Sequence, residues 1–379
     1  MILAILLPDI YIYWRYLRQR KDMSAWLHII WWIPGTFLTV YTIGLTLIRD
    51  FAPNDITWLD TYLFLTGLIV APKLVFVTCS AAGLAIKRIF RLQRNYGNYA
   101  GNILVLFTLY FLFYGSMIGN EKLKIKHVAI EHPDLPKSFD GYRIAQFTDA
   151  HVGSINKDFL RRVVDSINAQ KADAVAFTGD LQNLQPSELD PFGPLLSSIK
   201  AKDGVYSIMG NHDYSMYIND TPAAKSANER ELKRRERSYG WNLLLNENRI
   251  VKRGNDSIAI AGEENGGGKR FPKKDDIAKA MHGIRPGTFT VMLQHDPSAW
   301  RRSILPRSTA QLTLSGHTHG GQISIFGLRP TKLTGKEDLG LYHDGNRYLY
   351  VSGGIGGLVP FRFGVSPEIT VITLHRKKK

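Results

Sequence analysis

The sequence lacks two features that often reveal chemistry directly. It contains one cysteine, Cys79, in 379 residues, which excludes an intramolecular disulfide and any zinc site built from several thiolates. It also lacks the Walker spacing of a phosphate-binding loop. The glycine run Gly266–Gly268 is followed by Lys269 and Arg270, and we predict a flexible loop there and not a nucleotide cradle. Metal or phosphate chemistry must therefore come from oxygen and imidazole donors.

Acidic side chains are outnumbered, with 33 Asp and Glu against 48 Lys and Arg and a formal net charge of +15. A basic protein attracts anionic partners such as phosphorylated molecules and acidic lipids. Because the excess is distributed over both halves of the chain, it predicts a solvated, mildly basic surface. We expect no specific nucleic-acid partner, and the sequence makes no prediction of the oligomeric state.

The first third of the chain is apolar in long runs. Three of them approach or exceed the ~20 residues that cross a bilayer, namely residues 26–48, 58–86 and 102–118. The pattern changes after about residue 120, where short runs typical of strands alternate with helical periodicity. We therefore predict a transmembrane helical region over residues 1–120 and a separate domain over residues 121–379.

A fourth apolar segment, residues 1–17, is interrupted by Pro8, Asp9 and Arg15. It either spans the bilayer or lies in the interface, so that the region has three to four spans. No positively charged stretch precedes it and no small-residue cleavage site follows it. We expect it to be retained and not removed as a signal peptide.

Two basic loops predict the orientation of the spans. They contain Arg15, Arg18, Arg20 and Lys21 before the second segment, and Lys87, Arg88, Arg91 and Arg94 after the third. Loops rich in lysine and arginine stay in the cytoplasm. We predict a multi-pass protein of the cytoplasmic (inner) membrane, with residues 121–379 on the outer side.

Lys73 lies near the middle of the third segment, beside Pro72. An intramembrane lysine is costly, and it marks either a functional site or a charged pair inside a helix bundle. We favour the pair as the interpretation.

Polar side chains follow five short apolar runs of the kind that form buried strands. These are residues 142–147 before Asp149 and His151, residues 174–177 before Asp180, residues 205–209 before Asn211, His212 and Asp213, residues 290–293 before His295, and residues 312–314 before His317 and His319. In open α/β folds, ligands bind outside the carboxyl ends of the strands. We therefore expect these side chains to meet at one site.

The donor set indicates metal chemistry. Its seven members are Asp149, His151, Asp180, Asn211, His295, His317 and His319. Oxygen and imidazole donors without thiolate suit Mn²⁺, Fe or Zn²⁺. Seven ligands are too many for one tetrahedral ion, whereas two divalent metal ions sharing a carboxylate would use them all.

Such a pair of ions predicts hydrolysis at phosphorus. Two metals ~3.5–4 Å apart can hold a hydroxide between them and bind two phosphoryl oxygens for in-line displacement. We predict hydrolysis of a phosphoester or phosphoanhydride. His212 is not needed as a ligand and is free to donate a proton to the leaving oxygen, and Asp213 is a candidate to orient it.

The motifs Asp149-Ala150-His151, Gly179-Asp180, Gly210-Asn211-His212-Asp213, Gln294-His295 and Gly316-His317-Thr318-His319, in this order, resemble the calcineurin-like metallophosphoesterase superfamily. The resemblance covers about residues 140–372. It is closest in kind to the membrane-associated or secreted bacterial branch, which includes UDP-diacylglucosamine hydrolases and cell-wall-associated phosphoesterases.

This resemblance implies an α/β fold, specifically a four-layer αββα sandwich, following the transmembrane helical region. It also implies that one metal ion is held by Asp149, His151, Asp180 and His319, and the other by Asp180, Asn211, His295 and His317. His212 would then be the acid or the group that stabilises the transition state.

The substrate stays open between two classes. Membrane anchoring raises the local concentration of a lipid-linked or cell-envelope phosphate, which we favour. The alternative is a phosphodiester or nucleotide in solution, since no long apolar insertion between the motifs forms an acyl-binding cap. A non-catalytic metal-binding membrane module is a further alternative. Arg362 is a candidate phosphate contact, against the interpretation of a surface arginine with a packed stem.

Overall fold

A computed structural model describes residues 1–48, 57–268 and 271–377. The chain separates into two compact units, Met1–Ile118 and Gly119–Lys379. The first unit is helical. Its helices are α1 (Ile2–Ile12), α2 (Ala25–Ile30), α3 (Ile33–Leu47), α4 (Thr57–Ile89) and α5 (Tyr96–Phe113).

Three helical stretches among the described residues are long and apolar enough to cross a membrane, namely Ala25–Leu47, Thr57–Ile89 and Tyr96–Glu121. They correspond to the three runs predicted from the sequence. The fourth segment forms α1, which passes into a π-helical turn at Tyr13–Leu17. This segment is too short for a span by the same length criterion, yet it packs against α3 and α4.

An ion pair between α1 and α4 explains that packing. Lys73 Nζ lies 2.5 Å from Asp9 Oδ1, and the Asp9 side chain is fully buried. The Lys73 ammonium also lies 5.0 Å from the Trp31 ring centroid, and Trp31 Nε1 donates to the Asp9 carbonyl. The predicted pair inside the bundle is therefore confirmed. Its acidic member is the aspartate that interrupts the first apolar segment.

The second unit contains two mixed six-stranded sheets and short helices. Its strands are β1 (Lys124–His132), β2 (Tyr142–Phe147), β3 (Ala174–Phe177), β4 (Val205–Ser207), β5 (Asn242–Leu243), β6 (Glu247–Arg253), β7 (Asp256–Gly262), β8 (Gly266–Gly268), β9 (Phe271–Lys273), β10 (Thr290–Leu293), β11 (Leu312–Ser315), β12 (Gly340–Asp344), β13 (Arg347–Val351) and β14 (Glu368–Arg376). Its helices are α6 (Lys157–Ala169), α7 (Gly193–Leu196), α8 (Pro222–Ser238), α9 (Ile277–Ala280) and α10 (Leu305–Arg307).

The strand order is β1-β14-β2-β3-β4-β5 in the first sheet and β12-β13-β11-β10-β7-β6 in the second. Strands β2 to β5 run parallel, as do β7, β10, β11 and β13. Each parallel group therefore ends at one edge of its sheet. The polar motifs predicted from the sequence follow β2, β3, β4, β10 and β11, and lie at these edges.

Alternation along the strands produces four layers, because neighbouring side chains point to opposite faces of a sheet. In β2, Ala145 and Phe147 pack with α6 and α8 residues on the outer face. Tyr142 and Ile144 face the second sheet and form the core between the sheets. On the far side, Met292 packs with residues of α9 and the helical stretch that begins at Trp300. The predicted αββα sandwich is confirmed.

The predicted flexible loop at the glycine run is wrong in one part. Gly266–Gly268 forms β8 and pairs with β9 in a two-stranded ribbon. Glycine disfavours a strand in isolation, so no local signal indicates this pairing. Lys269 and Arg270 lie outside the described residues.

Candidate metal centre

The structure brings the seven predicted ligands together at the loops that follow five strands. Asp149 and His151 follow β2, Asp180 follows β3, Asn211 follows β4, His295 follows β10, and His317 and His319 follow β11. Three groups of their ligand atoms and those of His212 lie within 4.8 Å of one another. These groups are Asp149, His151 and His319; His151, Asp180 and His212; and Asp180, His295 and His317.

Five of the seven ligand residues have a left-handed backbone. Their φ angles are 52° at Asp149, 45° at His151, 61° at Asp180, 72° at His317 and 51° at His319. Such a conformation costs a non-glycine residue about 1–3 kcal/mol and persists only where the surroundings enforce it. The strand-end turns therefore hold these side chains in directions that an ordinary loop would not adopt.

Two glycines allow the loops to approach closely. A Cβ atom at Gly210 would lie 2.2 Å from Asp180 Oδ1, and one at Gly316 would lie 2.3 Å from Asp149 Oδ2. No side chain fits in that space. The glycines that precede Asn211 and His317 are therefore required for the carboxylates to sit against the neighbouring loop.

His151 presents a free nitrogen to the cluster. Its Nδ1 donates to Asn183 Oδ1 over 2.8 Å. In the neutral ring, Nε2 then carries a lone pair and can accept. That Nε2 lies 3.7 Å from Asp180 Oδ2 and is buried without a hydrogen-bond partner among the described residues. A buried acceptor facing a carboxylate oxygen needs a cation between them.

His295 lies in a similar arrangement. Its Nδ1 donates to the Thr178 carbonyl over 2.8 Å. Its Nε2 lies 3.1 Å from Asp180 Oδ2 and 3.2 Å from Asn211 Oδ1. Burial disfavours the imidazolium, but the Asp180 carboxylate outweighs burial and raises the pKa of His295 to about 10. The proton on Nε2 thus lies between this nitrogen and two oxygen acceptors, at the position where a metal ion would bind all three atoms.

These contacts fit divalent metal ions. The donors are carboxylate, amide and imidazole atoms, the Nδ1 hydrogen bonds of His151 and His295 leave each Nε2 facing the cluster, and Asp180 belongs to two of the clusters. Burial raises the pKa of the Asp149 carboxyl group and lowers that of His151 well below its usual range. A neutral imidazole is the form that binds a metal, and a nearby cation would restore the carboxylate.

His212 is held by its neighbours on two sides. Its Nδ1 donates to the Asn183 carbonyl over 2.7 Å, and its backbone N–H donates to Asp180 Oδ1 over 2.8 Å. The ring also stacks on Tyr217, with centroids 4.3 Å apart. Its Nε2 is therefore left for a proton transfer.

Asp213 does not orient His212, and that prediction is corrected. Its carboxylate accepts four backbone N–H groups, from Asp180, Leu181, Gln182 and Gly210, over 2.8 to 3.3 Å. The sequence places the two residues side by side, but the Asp213 carboxylate is bound to these backbone groups, whereas His212 Nδ1 donates to the Asn183 carbonyl. Asp213 therefore joins the Asp180 loop to the Asn211 loop.

Sequence reasoning missed two residues at the centre. Asn183 orients both His151 and His212, and the Glu188 carboxylate in turn accepts from the Asn183 backbone N–H over 2.6 Å. The position of Asn183, three residues after Asp180 in the same loop, is a signal that could have found it. Tyr217, which is 42% exposed beside His212, has no such signal.

Arg362 is buried and is not a surface residue. Its side chain is 0% exposed, and Nη2 donates to the carbonyls of Gly353 and Gly356. Desolvation lowers the pKa of the guanidinium to about 10, against the opposing charge of Asp149. Arg362 therefore holds the glycine loop that covers Asp149.

Known families and proteins match both units of the chain. The family described as "Calcineurin-like phosphoesterase" matches residues 142–321, and "Probable Calcineurin-like phosphoesterase, transmembrane domain" matches residues 1–120. The uncharacterized metallophosphoesterase YkuE of Bacillus subtilis is 32% identical over 63% of this chain and 81% of its own length. The uncharacterized metallophosphoesterase Cj0846 of Campylobacter jejuni is 28% identical over 98% of this chain and 96% of its own.

A third relative has a named substrate. The UDP-2,3-diacylglucosamine pyrophosphatase LpxG of Chlamydia trachomatis is 29% identical over 63% of this chain and 86% of its own length. The class that these matches and the fold define is a metal-dependent hydrolase of phosphoesters. The chain belongs to the calcineurin-like phosphoesterase family, and it is a membrane protein of that family. A non-catalytic module is not needed to explain the site.

Proposed function

We propose that this protein is a membrane-anchored phosphohydrolase with two divalent metal ions that share Asp180. The observation that carries the proposal is the position of the Asp180 carboxylate, whose Oδ2 faces His151 on one side and His295 on the other. One ion would be held by Asp149, His151, Asp180 and His319. The second would be held by Asp180, Asn211, His295 and His317.

The bound ions, of Mn, Zn or Fe, would activate the attacking water and neutralise charge on the phosphoryl oxygens. The protein itself positions the ligands and supplies a proton. The tautomers of His151 and His295, set by Asn183 and Thr178, aim Nε2 of each ring inward. His212, with Nδ1 bound to the Asn183 carbonyl, donates from Nε2 to the leaving oxygen when it is protonated.

A lipid-linked or cell-envelope phosphate or pyrophosphate is the proposed substrate. The spanning helices keep the catalytic unit at the bilayer surface, where the local concentration of such a substrate is high. The name of the chlamydial relative, a pyrophosphatase of a diacylated sugar nucleotide, supports the same class.

The proposed orientation places the catalytic unit on the outer side of the cytoplasmic membrane, because both basic loops stay inside. An alkaline phosphatase reporter fused after Gly119 in a bacterial host should be active. A cytoplasmic reporter at the same position should be inactive. The opposite pattern would contradict the orientation without affecting the hydrolase.

The substrate class is tested with the full chain in lipid nanodiscs, stripped of metal and reloaded with Mn²⁺ or Zn²⁺. Hydrolysis of an aryl phosphomonoester, an aryl phosphodiester and a lipid pyrophosphate is compared. We expect the lipid pyrophosphate to have the highest kcat/KM. A preference for the soluble diester would support the nucleotide-type alternative.

The matched variants are His212→Gln and His282→Gln. Loss of a general acid costs about 10²–10⁴-fold in kcat, so His212→Gln should lose activity while it still binds metal. His282 is exposed and lies outside the motifs, and its variant should retain full activity. Equal activity of the two variants would remove His212 from the mechanism.

A further inference from the structure

A set of apolar side chains is exposed at the edge that carries the metal centre. We define this apolar rim as Ile325, Phe326, Leu328, Leu333, Leu358 and Val359. Phe326 is 101% exposed, Leu333 is 87% exposed and Leu328 is 70% exposed. Single exposed apolar residues are ordinary on a protein surface, but a group of large ones on joined loops marks an interaction site.

Two loops form the rim as one surface. The first follows the ligand His319, and the second follows the glycine loop over Asp149. Ser324 N donates to the Phe363 carbonyl over 2.7 Å, and Gln322 Nε2 donates to the carbonyls of Val359 and Phe361. These bonds join the two loops that carry the apolar side chains, directly after the ligand His319.

The turn at the tip of the rim is unfavourable in two ways. Ile325 and Leu328 exchange backbone hydrogen bonds of 3.0 and 2.9 Å around Phe326 and Gly327. Phe326 has a φ of 52° and Gly327 a φ of 80°. Two-residue turns of this kind favour Asn, Asp or Gly at the first position. Phenylalanine there is both strained and left in water, unless something outside the chain covers it.

The chain enters the catalytic unit at the same edge. Strand β1 runs parallel to β14, which runs antiparallel to β2, so β1 begins where β2 ends. The third spanning stretch ends at Glu121 and β1 begins at Lys124. Lys122 and Leu123 alone connect them. A connection of two residues spans under about 10 Å even when extended, so this edge is tethered close to the bilayer.

Basic side chains next to the rim favour contact with a lipid bilayer. Lys332 and Lys336 are exposed on the loop that carries Leu333. Lysines near a membrane surface are attracted to anionic headgroups. Apolar side chains flanked by basic ones are typical of segments that lie in the bilayer interface.

We propose that the apolar rim inserts into the interface of the lipid bilayer to which the protein is anchored. The inference rests on the membrane anchoring in the proposed function, and it goes beyond it by assigning a second, loop-borne contact with lipid. Insertion seats the opening of the metal centre at the level of the lipid headgroups. A second copy of the chain covering the rim is the competing occupant.

The test measures the depth of the rim in the bilayer. Cys79 is the single cysteine of the chain, so Cys79→Ala gives a background for Phe326→Cys or Leu333→Cys labelled with bimane. The full chain is placed in nanodiscs of phosphatidylcholine and phosphatidylglycerol with or without 5-doxyl lipid. Interfacial groups bury about 5–10 Å into the acyl boundary, so we expect doxyl lipid to roughly halve the emission at both positions.

Lys252→Cys is the matched control. Lys252 is exposed on β6 and pairs with Ser257 at the start of β7, at the opposite edge of the sheet from the site. Its label should be unaffected by doxyl lipid and quenched by iodide in water. Emission at positions 326 and 333 that behaves like the control would overturn the proposal.

The same experiment has two further outcomes besides insertion of the rim and exposure of the rim to water. Labels at the rim that resist both doxyl lipid and iodide would assign the rim to a second copy and overturn insertion. Failure of the chain to co-elute with the nanodisc would refute the anchoring and the insertion together. No substrate is present, so a failure of the proposed hydrolysis leaves the result unaffected.

Discussion

At the scale of single residues, the centre depends on groups that hold the ligands as well as on the ligands themselves. Asp180 belongs to two of the ligand clusters, and three backbone N–H groups of its loop, with a fourth from Gly210, donate to the Asp213 carboxylate. Asn183 sets the tautomers of two histidines. Catalysis therefore requires the loops after β3 and β4 to keep their positions relative to each other.

Asp213→Asn tests the role of the aspartate. The amide can accept fewer of the four backbone hydrogen bonds, and its NH₂ group faces other donors. We expect the free energy of unfolding to fall by about 1–3 kcal/mol and the affinity for metal to fall with it. Thermal unfolding and metal titration measure both. A lower kcat with unchanged stability and metal affinity would instead support the orientation of His212 by Asp213.

The burial of Glu236 leads us to predict that the stability of the protein depends on pH. Both of its carboxyl oxygens are buried, with the Ser207 hydroxyl as the neighbouring hydrogen-bonding group. Burial, with the charge of Asp213 second, raises the pKa of Glu236 from 4.5 to about 8. The folded state therefore keeps a proton that the unfolded state loses, and this group's contribution to stability falls as pH rises from about 4.5 to about 8.

The Glu236→Gln variant should lose that part of the pH dependence. Each pH unit within the window corresponds to up to about 1.4 kcal/mol. Unfolding temperatures of the wild type and the variant, measured between pH 5 and pH 8, should diverge in favour of the variant at the higher pH. Parallel curves would show that Glu236 is already ionised in the folded protein.

The sequence predicted which residue types meet at the centre, because each motif ends a strand and polar residues at strand ends have few structural uses. It did not predict the partners of Asp213 or the role of Asn183. Those depend on whether a side chain points toward a loop distant in sequence. The left-handed backbones at His151 and His319 were equally hidden, since the surrounding fold enforces them.

At the scale of elements, α1 and α4 are joined by the Asp9–Lys73 pair. Removing one partner of a buried pair leaves an uncompensated charge and costs about 3–5 kcal/mol. We expect Lys73→Met to destabilise the first unit strongly, and Asp9→Leu with Lys73→Met to restore most of the loss. Thermal unfolding of the chain in nanodiscs compares the variants. Full stability of Lys73→Met alone would show that the pair is not structural.

Strands and helices with a clear apolar pattern were predictable, including α6, where one face of the pattern from Phe159 to Ile167 is buried. The sequence of the first apolar segment is compatible with a span or with the interface, because Pro8, Asp9 and Arg15 interrupt it. Only the fold shows that Lys73 neutralises Asp9. The β8–β9 ribbon was missed because its pairing comes from the surrounding chain and not from glycine itself.

At the scale of the whole molecule, the chain combines three helical stretches that are long and apolar enough to cross a membrane with a hydrolase in which β1 begins at the edge that carries the site. The two-unit division was predicted at about residue 120 from the change in composition alone. The exposed apolar rim was not predicted, because its residues come from separate places in the sequence, at 325–328, 333 and 358–359. Their common exposure is visible only when the loops are folded.

The central claim is that Asp180 is shared by two metal ions that act together. It is tested most directly by titrating the metal-stripped full chain with Mn²⁺ while bound metal and hydrolysis of an aryl phosphodiester are followed in the same sample. We predict that activity appears as the second equivalent binds, and that Asp180→Asn binds weakly and stays inactive. Full activity without metal, or an Asp180→Asn variant with normal activity, would contradict the claim.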